Sequence, residues 1–205
     1  MSLTTYGGLK TSIAAWLKRS DLTAIIPDLI TLAEARIARD LRLRRQIVSA
    51  DLTMTASVQG VDLPSDWLEF ENVTLNGDPP RQLTYVNIEH LDSKYPSTWT
   101  GMPAVYTLEG NQILFGPTPD RAYTAGVFYY GKFAALSADS DTNWLLTNHP
   151  AIYLYAALSE AEPYLFNDNR ALMWEAKYQK DMNDLQTADD AAMFSGTALR
   201  VRTIN

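Results

Sequence analysis

Three observations predict an α+β fold, with a helical bundle built from both ends of the chain and an antiparallel β domain inserted between them. Apolar residues recur every three or four positions up to residue 45 and again after residue 147. Between these regions the period shortens to two, in short runs separated by Gly, Pro and Asn. At 205 residues, 46% of them hydrophobic, the chain is long enough to bury a sizeable core. The expected layout is a helical bundle from 1–45 and 147–193, an inserted β domain over 46–135, a junction at 136–146 and a C-terminal arm over 194–205.

Taken in order, Thr4 or Thr5 can cap a first helix whose apolar face is Tyr6, Leu9, Ile13 and either Trp16 or Leu17. Gly7 and Gly8 weaken its first turn. Arg19-Ser20-Asp21 is a break, and Pro27 then suits the first turn of a second helix carrying Ile30, Ala33, Ile37 and Leu41. After Arg45 the alternation of 47–54 reads as a strand. Further extended runs are expected at 60–63, 70–75, 81–86, 104–108, 112–115 and 123–130, with a tight hairpin at Glu109-Gly110-Asn111. Residues 87–94 interrupt them as a short helix with Ile88 and Leu91 on one side, and 95–103 form a loop.

The strongest periodicity is a helical hairpin over 148–193. Its first helix opens on Pro150 and places Ile152, Tyr155, Ala156 and Ser159 at helical spacing, and Pro163 should end or kink it. The second carries an apolar or small stripe of Ala171, Trp174, Tyr178, Met182, Leu185, Ala188 and Ala192, opposite Glu175, Lys177, Lys180, Asp184 and Asp190. Asn167-Asp168-Asn169 supplies oxygens able to cap it.

The formal charge is −7, and it is unevenly placed: between Asp139 and Asp190 there are ten acidic residues against Arg170, Lys177 and Lys180. That concentration disfavours a nucleic-acid grip in the hairpin, because such binding depends on neutralising phosphates. The basic residues concentrate elsewhere, with Arg36, Arg39, Arg42, Arg44 and Arg45 within ten positions. Helix-end charges paired with Glu34, Asp40 or the acidic hairpin explain them, as do contacts between subunits or with phosphate. No aromatic residues interleave them, which argues against a base-stacking site.

Cysteine is absent, which excludes disulfides and thiolate metal sites. His90 and His149 stand in unrelated contexts, and no serine lies in a nucleophile-elbow sequence, so no nucleophile–base pair can be named. Asp139, Asp141 and Asn143 have the spacing that opens an EF-hand loop. Trp144 and Pro150 then stand where such a loop needs Gly and Glu, so turn and capping roles are expected and neither a metal nor another cofactor is. The opening residues lack a signal-peptide pattern and no apolar run approaches the ~20 residues of a membrane span.

The hairpin contains Tyr155-Ala156-Ala157-Leu158-Ser159-Glu160-Ala161, Pro163-Tyr164-Leu165, Arg170, Trp174 and Tyr178. Near the start stand Tyr6, Leu9, Leu17, Arg19-Ser20-Asp21-Leu22, Ile25, Pro27, Ala33-Glu34-Ala35-Arg36-Ile37 and Asp40-Leu41-Arg42, followed by Leu63-Pro64 and Trp67-Leu68. Together these stretches resemble the head-to-tail adaptor, or connector, proteins of short-tailed bacteriophages. The resemblance implies a non-enzymatic virion protein, made in the host cytoplasm, that sits at the portal vertex between head and tail. It would form a ring of about twelve subunits beneath the portal. Its partners would be further copies of itself, the portal protein and a tail or nozzle protein, with genome DNA passing through the channel without specific binding. In that family the C-terminal segment commonly reaches the portal, so Phe194, Leu199, Arg200, Val201, Arg202 and Ile204 are expected to form a portal-binding arm. Arg36, Arg39, Arg42, Arg44 and Arg45 become candidates for intersubunit or channel charges. A reading from a different class is a small-ligand or carbohydrate-binding protein using Trp99, Tyr106 and Tyr123 of the β region.

Overall fold

The computed structural model describes residues 3–165 and 168–194. The chain opens with α1 (Tyr6–Leu17) and α2 (Ile26–Asp40), then a 3-10 turn at Arg44–Gln46. The strands β1 (Ile47–Met54), β2 (Gly60–Asp62), β3 (Trp67–Leu75), β4 (Arg81–Gln82) and β5 (Thr84–Tyr85) follow. After α3 (Ile88–Lys94) come β6 (Thr100–Gly101), β7 (Val105–Glu109), β8 (Gln112–Gly116), β9 (Thr118–Pro119) and β10 (Tyr123–Gly131). The chain closes with α4 (Trp144–Asn148), α5 (Pro150–Tyr164) and α6 (Asp168–Phe194). This is an α+β fold in two compact units, Met1–Leu43 with Phe133–Asn205 and Arg44–Lys132.

In the helical unit, Thr5 caps α1 by accepting the Gly8 N–H at 3.3 Å. Two further amides of that first turn, which no helix can satisfy internally, donate outside it: Tyr6 to the Asp141 carbonyl at 2.9 Å and Gly7 to the Asp139 carbonyl at 3.0 Å. A Cβ on Gly7 would lie 3.2 Å from Asp139, so the glycine that weakens the turn also lets the 139–141 loop approach it. Leu17 joins the core, whereas Trp16 stays 43% exposed. α2 starts with Pro27 in its first turn and buries Ile26, Leu29, Ile30, Ala33 and Ile37. α5 runs through Pro163 and stops at Tyr164, one residue later.

The α6 stripe is buried at Trp174, Tyr178 and Met182, but Ala188 and Ala192 are exposed. α6 has 27 residues and its partner α5 only 15, so the last turns of α6 outrun the surface they were expected to cover. The side chains of the 167–169 cap and of the C-terminal arm lie outside the described residues.

In the β unit one four-stranded sheet has the strand order β1-β10-β3-β4 and a second β2-β8-β7-β5, and β6 pairs with β9 in a small third sheet. Cross-strand partners such as Ala50, Val127 and Val73 put one face of the first sheet on a core shared with Ile113 and Phe115 of the second. The expected hairpin joins β7 to β8 through Gly110, at φ 57, and Asn111. Most pairings are antiparallel. The exceptions are β5 with β7 and β6 with β9, both parallel and two residues long. The 81–86 run is broken at Leu83, whose N–H turns back to Val73, so its two halves serve different sheets.

Candidate functional site

The polar centre of the helical unit is Arg36, on the face of α2 beside Ala33 and Ile37. Its guanidinium donates to Glu175 of α6 and to the Ser159 hydroxyl of α5 at 3.2 Å, with Asp40 and Glu160 each at 3.7 Å. It also lies over the Tyr178 ring, 4.3 Å from the centroid. Burial works against this cation, but Glu175 and the other carboxylates outweigh it and raise its pKa. Burial likewise pushes Glu175 up, and the bonds from Arg36 and Gln179 more than reverse the effect. The Tyr178 hydroxyl, whose pKa is raised first by burial and next by Asp40, donates to Asp40 at 3.3 Å. One side chain thus ties three helices together.

A second buried group is Glu162, 1% exposed on α5. Its Oε1 accepts from the Trp174 indole N–H at 3.1 Å and from Arg170 at 3.2 Å. Trp174 stacks on Tyr155 at 5.7 Å and meets Trp16 edge-on at 5.3 Å, with Lys177 over both the Trp174 and Tyr155 rings. Near α4, Asn143 caps the helix through the Leu146 N–H and donates to the Ala134 carbonyl and the Tyr153 hydroxyl. Glu34 accepts the Leu136 N–H at 3.0 Å, and its burial raises its pKa despite that bond.

These positions sort the residues singled out in the sequence. Of the arginine run, Arg36, Arg39 and Arg42 belong to the helical unit and Arg44 and Arg45 to the β unit. Arg39 is exposed beside Asp40 at 3.1 Å, and Arg42 donates to the carbonyls of Ala38 and Leu41. Asp141 closes a turn by accepting from Ser137 and Ala138, and its pKa is lowered by those bonds. Asp139 pairs with Lys10. His149 lies against Trp144, and His90 follows the α3 cap, where its N–H donates to Asn87. Phe194 ends α6 with its side chain undescribed, and Leu199, Arg200, Val201, Arg202 and Ile204 lie outside the described residues. Trp99 stacks on Tyr95, Tyr106 meets Phe70 and Tyr85, and Tyr123 lies under Arg121 and bonds Asp120. No ring contact joins these three aromatics among the described residues.

Sequence reasoning counted Glu162 among the acidic hairpin residues and named Glu34 as a partner for the arginines, and missed the Glu162–Trp174 and Glu34–Leu136 hydrogen bonds. Glu162 was detectable, since steps of three and four from Ile152 through Tyr155 and Ser159 land on it, placing a carboxylate on an apolar stripe. Glu34 bonds a residue 102 positions away, and no local pattern signals that. Among the described residues no group of His, Asp and Glu is arranged to hold a metal ion. No helix there is long and apolar enough to cross a membrane.

The arrangement is one of hydrogen-bonded side chains holding helices in register, with Glu162 Oε2 alone of that carboxylate left buried without a partner among the described residues, which suits a structural part. A comparison with curated proteins found no match. The family model for SU10 adaptor proteins matches residues 4–202, and the chain therefore belongs to that family of bacteriophage adaptor proteins.

Proposed function

We propose that the chain assembles as a closed ring of roughly twelve copies beneath the portal, joins the tail to the capsid vertex and lengthens the DNA channel. The carrying observation is the family match, which runs through both units rather than one. A ring component needs stiff protomers, and the Arg36 and Glu162 networks give the helical unit directional ties between α2, α5 and α6. Electron microscopy of the protein mixed with portal protein tests this. A ring stacked on the portal is expected, and a chain that stays monomeric in sedimentation with portal present overturns it.

In this reading DNA slides past without being held. The acidic excess between Asp139 and Asp190 opposes adhesion wherever it lines the lumen, over a screening length of ~8–10 Å at physiological salt. Arg36, engaged by carboxylates of its own chain, is not spare for phosphate. Duplex retention by the assembled ring at low salt is the check. Weak retention is expected; tight, steeply salt-dependent retention lost on neutralising Arg39, Arg44 and Arg45 overturns the free-sliding channel.

A further inference from the structure

Strand β1 is a long sheet edge. It has eight residues, it pairs with β10 on one side, and among the described residues no strand hydrogen-bonds its other side. The other edges of the two main sheets, β4, β2 and β5, are two or three residues long. In an antiparallel edge strand alternate residues turn both N–H and C=O outward, so β1 offers a row of unused backbone partners. Natural edges are usually blunted by Lys, Pro or a bulge, yet Ile47–Met54 contains no Lys, Arg or Pro, and its register with β10 runs unbroken. Its two faces also differ. Val48, Ala50, Leu52 and Met54 share the core side with Tyr129, Val127 and Ala125, and Val48 is left 40% exposed. Ser49 and Asp51 are on the outer side, which also carries Glu69 across the sheet. Asp51 accepts from Asn76 at 3.4 Å, and no cation bridges it among the described residues.

We propose that β1 is a strand acceptor and that residues 195–205 of a neighbouring copy are the strand it takes, in place of the portal contact that the family resemblance implies for them. Within that segment Leu199 and Val201 alternate with Arg200 and Arg202. Laid along β1, the apolar pair covers Val48 and Ala50 while the arginines lie on the outer side with Asp51. Eleven extended residues reach ~36 Å, enough to follow a strand of ~27 Å from end to end. Donor and acceptor are different surfaces of one chain, so the contact is head-to-tail and propagates around a ring. The inference rests on the ring reading for its geometry.

Hydrogen exchange and sedimentation test it on the full chain and on a chain ending at Phe194, with a synthetic peptide of residues 195–205 as the probe. The truncated chain is expected to keep its helicity and melting, lose the ring, and exchange alternate β1 amides at least roughly tenfold faster. Adding the peptide should restore that protection. Asp51→Lys should weaken the peptide roughly tenfold, and glutamates in place of Arg200 and Arg202 should recover binding to that variant. A truncated chain that still forms rings with β1 exchanging as before, or a peptide that binds portal protein and leaves β1 unprotected, overturns the proposal. Peptide protection of β1 with no ring at any concentration supports the acceptor and sinks the ring; a ring with unprotected β1 does the reverse.

Discussion

The helical unit joins Met1–Leu43 to Phe133–Asn205 with charged side chains turned inward, Arg36 and Glu162 above all, while the β unit closes the continuous segment Arg44–Lys132 around an apolar cluster. Among the described residues of the β unit, the buried polar side chains are Gln46, Thr107 and Thr118, all uncharged. The difference follows from connectivity. A continuous β segment has its register set by backbone ladders and short turns. Helices brought together from distant parts of a chain can slide and rotate on an apolar seam, and hydrogen bonds with defined directions remove that freedom. Charge is buried where the backbone alone leaves the register open.

The largest way to strain this comparison is Trp174→Ala, which empties a site only 4% exposed and frees Glu162 of a donor. The helical unit should lose ~3–5 kcal/mol. Unfolding followed by hydrogen exchange should show the β amides unaffected; equal loss in both units would mean that they unfold as one. Next is Arg36→Ala, expected to cost about 2–3 kcal/mol because Glu175 and Glu160 are left facing each other's charge. Arg36→Lys should recover less than half of it, since an ammonium cannot reproduce the planar contacts to Ser159, Glu175 and the Tyr178 ring together. Full recovery would show that charge alone matters.

A change confined to the β unit comes third. A Cβ at Gly116 would sit 2.7 Å from Leu91 and 3.0 Å from Val105, so Gly116→Ala should destabilise that unit by ~1–3 kcal/mol through overpacking. Unchanged melting of the β amides would mean that α3 yields freely. The smallest effect is in pH dependence. Burial raises the Glu34 pKa, so its contribution is most favourable below the ordinary glutamate value of about 4.3 and declines as pH rises through the folded value. Glu175 is depressed and acts oppositely, with stability present above about 4.3 and lost as pH falls through its folded value. Denaturant midpoints from pH 4 to 7 should fall less steeply in Glu34→Gln than in the unmodified chain, and identical slopes would count against a strained Glu34.

Much of the fold could be read locally. The Thr5 cap, the Glu109–Gln112 hairpin and the Trp174, Tyr178 and Met182 stripe depend on neighbours within a few residues. Misread features depended on remote partners. β3 begins at Trp67 rather than 70 because Trp67 and Glu69 pair with Gly131 and Tyr130, a ladder that no local alternation announces. Ala188 and Ala192 look like core by spacing, but burial requires an opposing helix of equal length. The Arg36 cluster was half legible: the basic run and the acidic hairpin were visible as opposite charges, but which arginine meets which carboxylate is a property of helix packing.

Arg36 also sets an order in time. Its hydrogen-bond partners Ser159 and Glu175 lie 123 and 139 residues downstream, so during synthesis α2 emerges with only Asp40 of its own helix near Arg36, long before those partners. At ~5–20 residues per second that interval is on the order of ten seconds, while the β segment is already complete on the ribosome. The nascent amino-terminal helices must therefore wait, with Ile30, Ala33 and Ile37 uncovered, for the last stretch of chain. For this unit, helical composition does not mean quick folding, because its decisive contacts are among the most distant in the molecule.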